Sequence, residues 1–277
     1  MASKQKIVLP RSLGDYDLSS RVPILLPDDS CLWVPITKNG KTGNIPTAWI
    51  GTTLHESKLS CGLGTPFECK LLKGYRLPPE EGKKKGIFVG CYSQNGTPAI
   101  ALAGISKALA KGNDYSLEYA INNSKRTAKY FRWAAIGDPA SLALAYILHC
   151  NREWLKIGLR PLGYTHFWKW RQDLAGLFMA SADNLPEADL AFDRGFRPTV
   201  ILDRSFGGIA FKTPKGRKGI LCAAQRDQYY SNKPKRDWID CNTCGWCDAT
   251  DPRFKFAVGF IDHSPGSRRP KKLNVLK

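Results

Sequence analysis

Short apolar runs and helix-like apolar spacing alternate along the chain between about residues 98 and 222. We predict strands where the apolar runs have strand length, at 132–136, 161–165, 177–181, 199–202 and 217–222. We predict helices where apolar residues recur every three or four positions, at about 98–110, 117–131, 141–156 and 186–194. Because this alternation is typical of parallel βαβ units with right-handed crossovers, the predicted fold class is α/β.

Two of the predicted helices carry additional signals. The helix at 141–156 is expected to bury one apolar side, formed by Leu142, Ala145, Leu148 and Leu155. The helix at 186–194 begins at Pro186 and ends before Gly195, which is the usual asymmetry between helix ends.

The pattern divides the chain into three parts. Residues 1–58 are rich in proline and glycine with short β-like runs, and we predict an N-terminal β-rich or irregular extension there. Residues 59–265 are predicted to form a (βα) barrel-like domain or a partial barrel, similar to a TIM barrel, with a C-terminal cysteine metal loop at 222–263. Residues 266–277 are predicted to be a basic tail, because the last ten residues hold five basic side chains.

Chemically capable side chains follow the predicted strands. In parallel α/β folds, ligands bind at the carboxyl ends of the strands. The candidate catalytic residues at these positions are Asp138, His166, Asp183 and Asp203, with Cys222 after the last strand of the series. Asp138 and Asp183 form a paired-carboxylate site if they lie close together, since one of them is then pushed toward the neutral form.

Each of these candidates has a structural alternative. Asp138 and Asp183 are suited to cap the helices that follow them, because aspartate accepts hydrogen bonds from helix N-terminal amides. His166 lies among Tyr164, Phe167 and Trp168, so a histidine packed in an aromatic cluster is the alternative there.

The strongest motif is a run of three closely spaced cysteines, Cys241, Cys244 and Cys247. Thiols at this spacing turn toward one cation, and zinc takes four such ligands in a tetrahedron, while iron–sulfur clusters use similar runs. The fourth ligand is either Cys222, separated from Cys241 by eighteen residues, or His263, downstream. A closed four-ligand site of this kind is more often structural than catalytic. Zinc is the expected cofactor, and an iron–sulfur cluster is the alternative.

A second, looser set of thiols precedes the predicted domain core. Cys61, Cys69 and Cys91 are candidates for a three-thiol site with an open coordination position. Cys31 and Cys150 are interpreted as ordinary buried thiols.

The charge balance predicts a polyanionic partner. The chain has 42 Lys and Arg against 24 Asp and Glu, a formal net charge of +18. Each phosphate that a basic side chain neutralises releases a counterion, so such a surplus favours DNA or RNA as partner. The candidate nucleic-acid contacts are Lys125, Arg126 and Lys129, on a predicted helix face, and Arg217, Lys218 and Arg236 near the cysteine run.

The expected compartment is the cytoplasm of the host cell, and no membrane contact is expected. Met1 to Lys6 lead into no apolar run, and no stretch is long enough to span a bilayer. In a reducing cytosol, thiol clusters are more often metal sites than disulfides.

Several phrases resemble a cysteine-rich family encoded by bacteriophages and plasmids, for which no activity is established. They are 41–46 (KTGNIP), Cys61, Cys69 and Cys91, 137–139 (GDP), 181–183 (SAD), 222–225 (CAAQ), 241–247 and 258–263 (VGFIDH).

Two remoter resemblances imply chemistry. Cys61, Cys69 and Cys91 with 137–139 are similar in placement to the cluster loop and second-strand motif of radical S-adenosylmethionine barrels, although the compact cysteine spacing of that superfamily is absent. Cys241, Cys244, Cys247 and His263 are similar to the zinc site of deazaguanine transglycosylases. The latter likeness implies that one carboxylate attacks the sugar carbon and another moves the proton.

Taken together, these features predict a phage- or plasmid-encoded metal-binding protein that modifies bases or nucleotides, with a nucleic-acid-modifying transferase as the enzyme class. The alternative is a basic nucleic-acid-binding protein without enzymatic activity, stabilised by a structural zinc ion, which regulates or blocks a host process.

Overall fold

The computed structural model describes residues 25–37, 42–53, 75–76, 88–89, 97–203 and 205–261. The strands within these ranges are β1 (Cys31–Val34), β2 (Thr47–Ile50), β3 (Tyr75–Arg76), β4 (Phe88–Val89), β5 (Tyr130–Arg132), β6 (Arg160–Leu162), β7 (Tyr164–Thr165), β8 (Met179–Ala182), β9 (Pro198–Leu202), β10 (Ala210–Lys212), β11 (Lys218–Leu221) and β12 (Ala257–Ile261). The α-helices are α1 (Thr97–Ala110), α2 (Leu117–Asn123), α3 (Leu144–Lys156), α4 (Leu185–Asp193), α5 (Ala223–Tyr230) and α6 (Cys241–Cys244).

The strands form two larger sheets and one small hairpin. The first sheet has the order β1-β2-β5-β6 and the second has the order β10-β11-β12-β9-β8-β7, while β3 pairs with β4. Within the two larger sheets, β1 and β10 are antiparallel to their neighbours and the other pairs are parallel. The mixed α/β class with parallel strands is therefore confirmed. No pairing between described strands closes the array into a barrel.

The two larger sheets meet at a bend between β6 and β7. Gly163 is the one residue between these strands, and a Cβ atom there would lie 2.9 Å from the Cβ of Trp133. The backbone N–H of Met179 donates to the carbonyl of Gly163 at 3.0 Å. The strand predicted at 161–165 is thus two short strands, because the glycine lets the chain turn from one sheet into the next without a steric clash.

The helix α3 buries a different side from the one predicted. Ile147, Cys150, Asn151 and Trp154 are buried, whereas Leu148 and Leu155 are 47% and 52% exposed. The buried positions follow the spacing i, i+3, i+4, i+7 that a helix face requires. The polar Asn151 belongs to this face because its side-chain oxygen accepts a hydrogen bond from Nε1 of the buried Trp133 at 2.9 Å.

Aromatic side chains fill the core under the first sheet. Trp33 lies against Trp133 and Trp154, with ring centroids 5.0 and 5.3 Å apart, and Phe131 stacks on Trp154 at 5.4 Å. All four side chains are at most 2% exposed. Large rings supply much of the apolar area buried on folding, so this cluster is the main apolar core among the described residues.

The second sheet contains the crossover that carries the cysteines. β12 lies between β9 and β11, and both of these pairings are parallel. The connection from β11 to β12 includes α5 and α6 and therefore returns across the sheet before β12 begins. This topology places residues 222–256 against the sheet, and they do not form a loop that projects into solvent.

Candidate functional site

Four cysteines line one small pocket. Cys222 immediately precedes α5, Cys241 and Cys244 are the first and last residues of α6, and Cys247 follows three residues later. The pocket has a volume of about 20 Å³, which is the room that one water-sized body occupies. Its other lining residues are Leu162, Ala223, Ala224, Asp240, Gly245, Trp246 and Val258. None of the four thiols is in a disulfide.

The local fold of α6 turns its two cysteines to the same side. The Asp240 carboxylate caps the helix by accepting hydrogen bonds from the backbone N–H of Thr243 at 2.9 Å and from its hydroxyl at 2.7 Å. Gly245 ends the helix with a φ of +67°, a conformation that favours glycine. A Cβ atom at Gly245 would overlap the hydroxyl of Tyr130, so this close approach to β5 also requires glycine.

Polar contacts attach the cysteine segment to the ends of the strands. Asn242 accepts a hydrogen bond from the backbone N–H of Lys129 at 2.7 Å and donates to the carbonyl of Thr127 at 3.1 Å. Arg197 donates to the carbonyl of Trp246. Arg160 forms an ion pair with the buried Asp248, with Nε and Oδ2 2.6 Å apart. These contacts hold the segment beside the starts of β5, β6 and β9.

The environment of the pocket disfavours thiolates in the absence of a cation. Burial, and next the neighbouring Cys222, raise the pKa of Cys241 to about 12. Burial raises the pKa of Cys244 to about 11, and burial together with the other three thiols raises the pKa of Cys247 well above its usual value. Within the described ranges, no group of three or more His, Cys, Asp or Glu side chains is arranged as a metal-binding set. The raised pKa values favour the neutral form of Cys241, Cys244 and Cys247, and a formed metal centre is not shown.

Asp138 lies buried at the carboxyl end of the sheet. Its Oδ1 accepts hydrogen bonds from the backbone N–H of Ala140 at 2.9 Å and from the Thr165 hydroxyl at 2.7 Å, and its Oδ2 accepts from the backbone N–H of His166 at 2.7 Å. The first of these bonds caps the short 3₁₀ helix Pro139–Ser141. The predicted capping role is thus present, and the same carboxylate also binds the end of β7.

His166 connects Asp138 to a residue that the sequence did not single out as catalytic. Its Nε2 lies 2.9 Å from the hydroxyl oxygen of Ser181, and its Nδ1 lies 3.7 Å from Oδ2 of Asp138. Ser181 is the third residue of the four-residue strand β8. Its position near the carboxyl end of a predicted strand was the available signal, but serine is too common for that signal to be decisive.

Asp183 and Asp203 occupy different surroundings from Asp138. Asp183 is exposed, and the cap of α4 is Asn184, whose side chain accepts from the backbone N–H of Glu187 at 2.9 Å. The prediction that Asp183 caps this helix is therefore wrong by one residue. Asp203 is also exposed and accepts hydrogen bonds from the N–H and hydroxyl of Ser205 at 2.8 and 2.6 Å. The structure thus pairs Asp138 with an imidazole instead of showing a buried pair of carboxylates.

The same face of the sheets carries Ser181, which contacts His166, and the residues that line the cysteine pocket. Ser181 is in register with Thr199, and Thr199 with Val258, so these three side chains share a face. Val258 lines the cysteine pocket. On the first sheet, Arg132 is in register with the pocket residue Leu162. The Arg132 guanidinium donates to the Tyr164 hydroxyl at 3.4 Å, which connects the two sheets on this face.

The candidate nucleic-acid contacts have mixed surroundings. Lys125, Arg126 and Lys129 are exposed, but α2 ends at Asn123 and β5 begins at Tyr130, so they lie on a turn and the predicted helix there is wrong. Polar residues from Asn122 to Thr127 stop the helix, and Ala128 and Phe131 are buried from irregular and strand backbone.

The second basic group is partly neutralised. Arg217 forms an ion pair with Asp193, lies over the ring of Phe192 at 5.2 Å, and donates to the carbonyl of Asp189 at 2.5 Å. Lys218 is exposed, and Arg236 is 84% exposed with Asp237 3.5 Å away. Arg217 is therefore a structural residue, and the other two remain available on the surface.

Four of the predicted site residues, Cys61, Cys69, Cys91 and His263, lie outside the described residues. In the described part of the chain, no helix combines the length and apolar character needed to cross a bilayer.

Comparison with known proteins gives no match: no protein-family model, no curated protein and no solved structure is significantly similar to this chain.

Proposed function

We propose that this chain is a phage- or plasmid-encoded metalloprotein that acts on nucleic acid by modifying bases or nucleotides, and that Cys222, Cys241, Cys244 and Cys247 bind one zinc ion. The observation that carries the proposal is the meeting of four thiols in one pocket, none of them in a disulfide. Cys222 belongs to the start of α5 and the other three to the segment after it, so the fold brings together residues that are distant in sequence.

The size and chemistry of the pocket favour a single ion over a cluster. Its volume of about 20 Å³ is the room of one water-sized body, which suits a single ion. Four thiolates are a common structural zinc set. Zinc would supply the positive charge that stabilises the thiolates, and the protons of the four thiols would be released on binding. Arg132, which lowers the pKa of Cys241 by its charge, adds to this stabilisation.

The cysteine segment supports an exposed basic turn. Asn242, inside α6, holds the backbone of Thr127 and Lys129 by two hydrogen bonds. Lys125, Arg126 and Lys129 project from this turn. A metal ion that orders α6 would also order the turn, and three cations at fixed positions suit the phosphates of a nucleic-acid backbone. The net charge of +18 supports the same kind of partner.

Metal analysis tests the metal half of the proposal. Protein purified without chelator is expected to contain one zinc per chain and no iron, and Cys247→Ser is expected to contain none. A brown protein with iron and sulfide, or a wild type without bound metal after zinc addition, would contradict it.

Salt-dependent binding tests the nucleic-acid half. The triple variant Lys125→Ala, Arg126→Ala, Lys129→Ala is expected to bind DNA and RNA more weakly, with the slope of log K against log salt reduced by about 3. The matched control changes Lys111, Arg152 and Lys255, which are also exposed, and keeps the slope. Equal slopes for the two triple variants would reject the basic turn as the contact.

A further inference from the structure

Asp138, His166 and Ser181 form a chain of three side chains at the carboxyl end of the sheet. We infer that Ser181 is a nucleophile activated by His166, that Asp138 positions the imidazole, and that the site accepts the acyl group of an ester or thioester. The inference goes beyond the proposed function and does not depend on metal or on nucleic acid.

The distances suit nucleophile activation. The Ser181 hydroxyl and His166 Nε2 are 2.9 Å apart, which allows the imidazole to take the hydroxyl proton. His166 Nδ1 lies 3.7 Å from Asp138 Oδ2, longer than a hydrogen bond but close enough to stabilise an imidazolium. Such contacts are often loose in a structure without substrate and tighten when substrate binds.

Asp138 is rigidly held, as a positioning residue must be. It is 2% exposed, and three donors from Ala140, Thr165 and His166 fix both of its oxygens. One of these donors is the backbone N–H of His166 itself. The carboxylate therefore fixes the backbone that carries the imidazole as well as facing its ring.

Ser181 and His166 are accessible to a ligand. Ser181 is half-buried, and the His166 side chain is 31% exposed. The indole Nε1 of Trp168 donates to the Ser181 carbonyl at 3.0 Å, which fixes the backbone of the serine. Helix α4 begins at Leu185, four residues later along the chain.

The neighbouring surface favours an apolar acyl group. Thr199 is in register with Ser181, and Ile201 follows on the same face with 46% of its surface exposed. Ile201 is in register with the half-buried Phe260, whose ring lies 6.5 Å from that of Tyr164. These side chains are uncharged, and an exposed isoleucine on the strand next to the nucleophile, two residues beyond its register partner, suits a hydrocarbon chain better than a phosphate.

The reaction balances with water as the second reactant. The Ser181 oxygen attacks the acyl carbon, its proton passes to His166 Nε2, and the bond from the acyl carbon to the leaving oxygen or sulfur breaks. The leaving group takes the proton from His166. Water then attacks the acyl-serine, and the carboxylic acid leaves as the serine regains its proton.

An active-site-directed probe tests the nucleophile. A fluorophosphonate that carries an alkyl chain is expected to form a phosphonyl adduct on the wild type with loss of fluoride, and peptide mass spectrometry is expected to place the adduct on Ser181. Ser181→Ala is expected to remove the label. Ser205→Ala is the matched control, because Ser205 is an exposed serine that contacts a carboxylate but has no imidazole within the described contacts, and it should label like the wild type. No adduct, or an adduct elsewhere in the folded wild type, would overturn the inference.

Kinetics separate the roles of the two partners. His166→Gln is expected to lower the maximal labelling rate by at least about 100-fold, the contribution usual for a general base. Asp138→Asn is expected to lower the same rate with little change in the half-saturating probe concentration, since a positioning residue does not bind the probe. If Asp138→Asn instead raises the half-saturating probe concentration by as large a factor as it lowers the rate, the role of Asp138 is merely structural.

Model substrates separate acyl from phosphoryl transfer. The wild type is expected to hydrolyse p-nitrophenyl butyrate and not bis(p-nitrophenyl) phosphate, with the rate lost in Ser181→Ala. Cleavage of the phosphodiester alone would overturn the acyl assignment. If both proposals hold, Ser181→Ala loses these activities but keeps the zinc content and the nucleic-acid affinity of the wild type. The failure of one proposal is therefore distinguishable from the failure of the other.

Discussion

The aromatic core beneath the first sheet and the cysteine segment beside the second are stabilised in opposite ways. Trp33, Phe131, Trp133 and Trp154 are nearly inaccessible and contact one another through their rings. In residues 222–256 the apolar side chain that is fully buried is that of Ala223, whereas Gln225, Asp227, Asp248 and Asp251 are buried polar residues. The first region is held by apolar burial, and the second by hydrogen bonds and ion pairs.

This contrast bears on the function. A segment with little buried apolar area gains little free energy from the hydrophobic effect, at about 25 cal/mol per Å². Its polar contacts offer about 1 kcal/mol each. An ion bound by four thiolates is the device that small segments of this kind use to become stable. The comparison therefore predicts that the cysteine segment depends on metal and that the aromatic core does not.

The largest expected effect lies in the aromatic core. Trp154→Ala should lower the free energy of unfolding by about 3–5 kcal/mol, because it leaves a cavity among rings. Urea denaturation measures this, with Leu155→Ala as the control, since that side chain is 52% exposed and its loss should change the free energy by no more than about 0.5 kcal/mol. Equal effects of the two substitutions would show that the core has been assigned to the wrong face of α3.

Metal removal is expected to have the next largest effect on stability. At free zinc one hundred times the dissociation constant, the bound ion should add about 2.7 kcal/mol to the free energy of unfolding, and chelation should remove it. Thermal melts with and without chelator measure this effect. Cys247→Ser should melt at the same temperature with and without chelator, and a chelator effect that persists in this variant would contradict the four-thiol assignment.

Arg160→Ala tests the polar anchoring of the cysteine segment. The substitution leaves the buried Asp248 without its 2.6 Å partner and should cost about 2 kcal/mol, less than a fully buried pair because Arg160 is 37% exposed. Arg152→Ala is the control, because its pair with Glu153 is on the surface and should matter by less than about 0.5 kcal/mol. Urea unfolding and zinc content are the measurements, and an unchanged stability in Arg160→Ala would show that the ion pair does not hold the segment.

The smallest effect is a pH dependence within the aromatic region. Burial raises the pKa of Cys150 to about 12 from the ordinary value of 9.0, so above pH 9 the unfolded chain loses this proton more readily than the folded one. The contribution of the protonated Cys150 thiol to the free energy of unfolding is complete below pH 9 and is lost progressively up to about pH 12. Between pH 8 and 10 the wild type should lose about 1.4 kcal/mol more than Cys150→Ala. Parallel slopes for the two proteins would show that Cys150 ionises normally in the folded state.

The sequence predicted the α/β class because runs of strand length and helical spacing are local signals. It failed on the buried face of α3, where the polar Asn151 breaks the apolar pattern although it bonds to Trp133 inside the core. It also missed the bend at Gly163, where the side chain of Trp133, thirty residues earlier, leaves no room for a Cβ atom. Both errors arise where a distant residue decides what a local pattern means.

The residues of the candidate site also divide into those that local sequence predicts and those that depend on distant parts of the chain. The run from Cys241 to Cys247 was visible in the sequence because its members are neighbours along the chain. Cys222 lines the same pocket because β11 ends beside β12, a parallel pairing that local spacing does not specify. Ser181 became a candidate because its hydroxyl lies 2.9 Å from His166.

By itself, the sequence determined the alternation of strands and helices between about residues 98 and 222, the surplus of positive charge and the identity of the clustered thiols, because each depends on residues close in the chain or on composition. The tertiary structure alone decided which side chains share the face of the sheet. That outcome depends on strand order and register, and a shift of one residue would turn every one of these side chains to the opposite face.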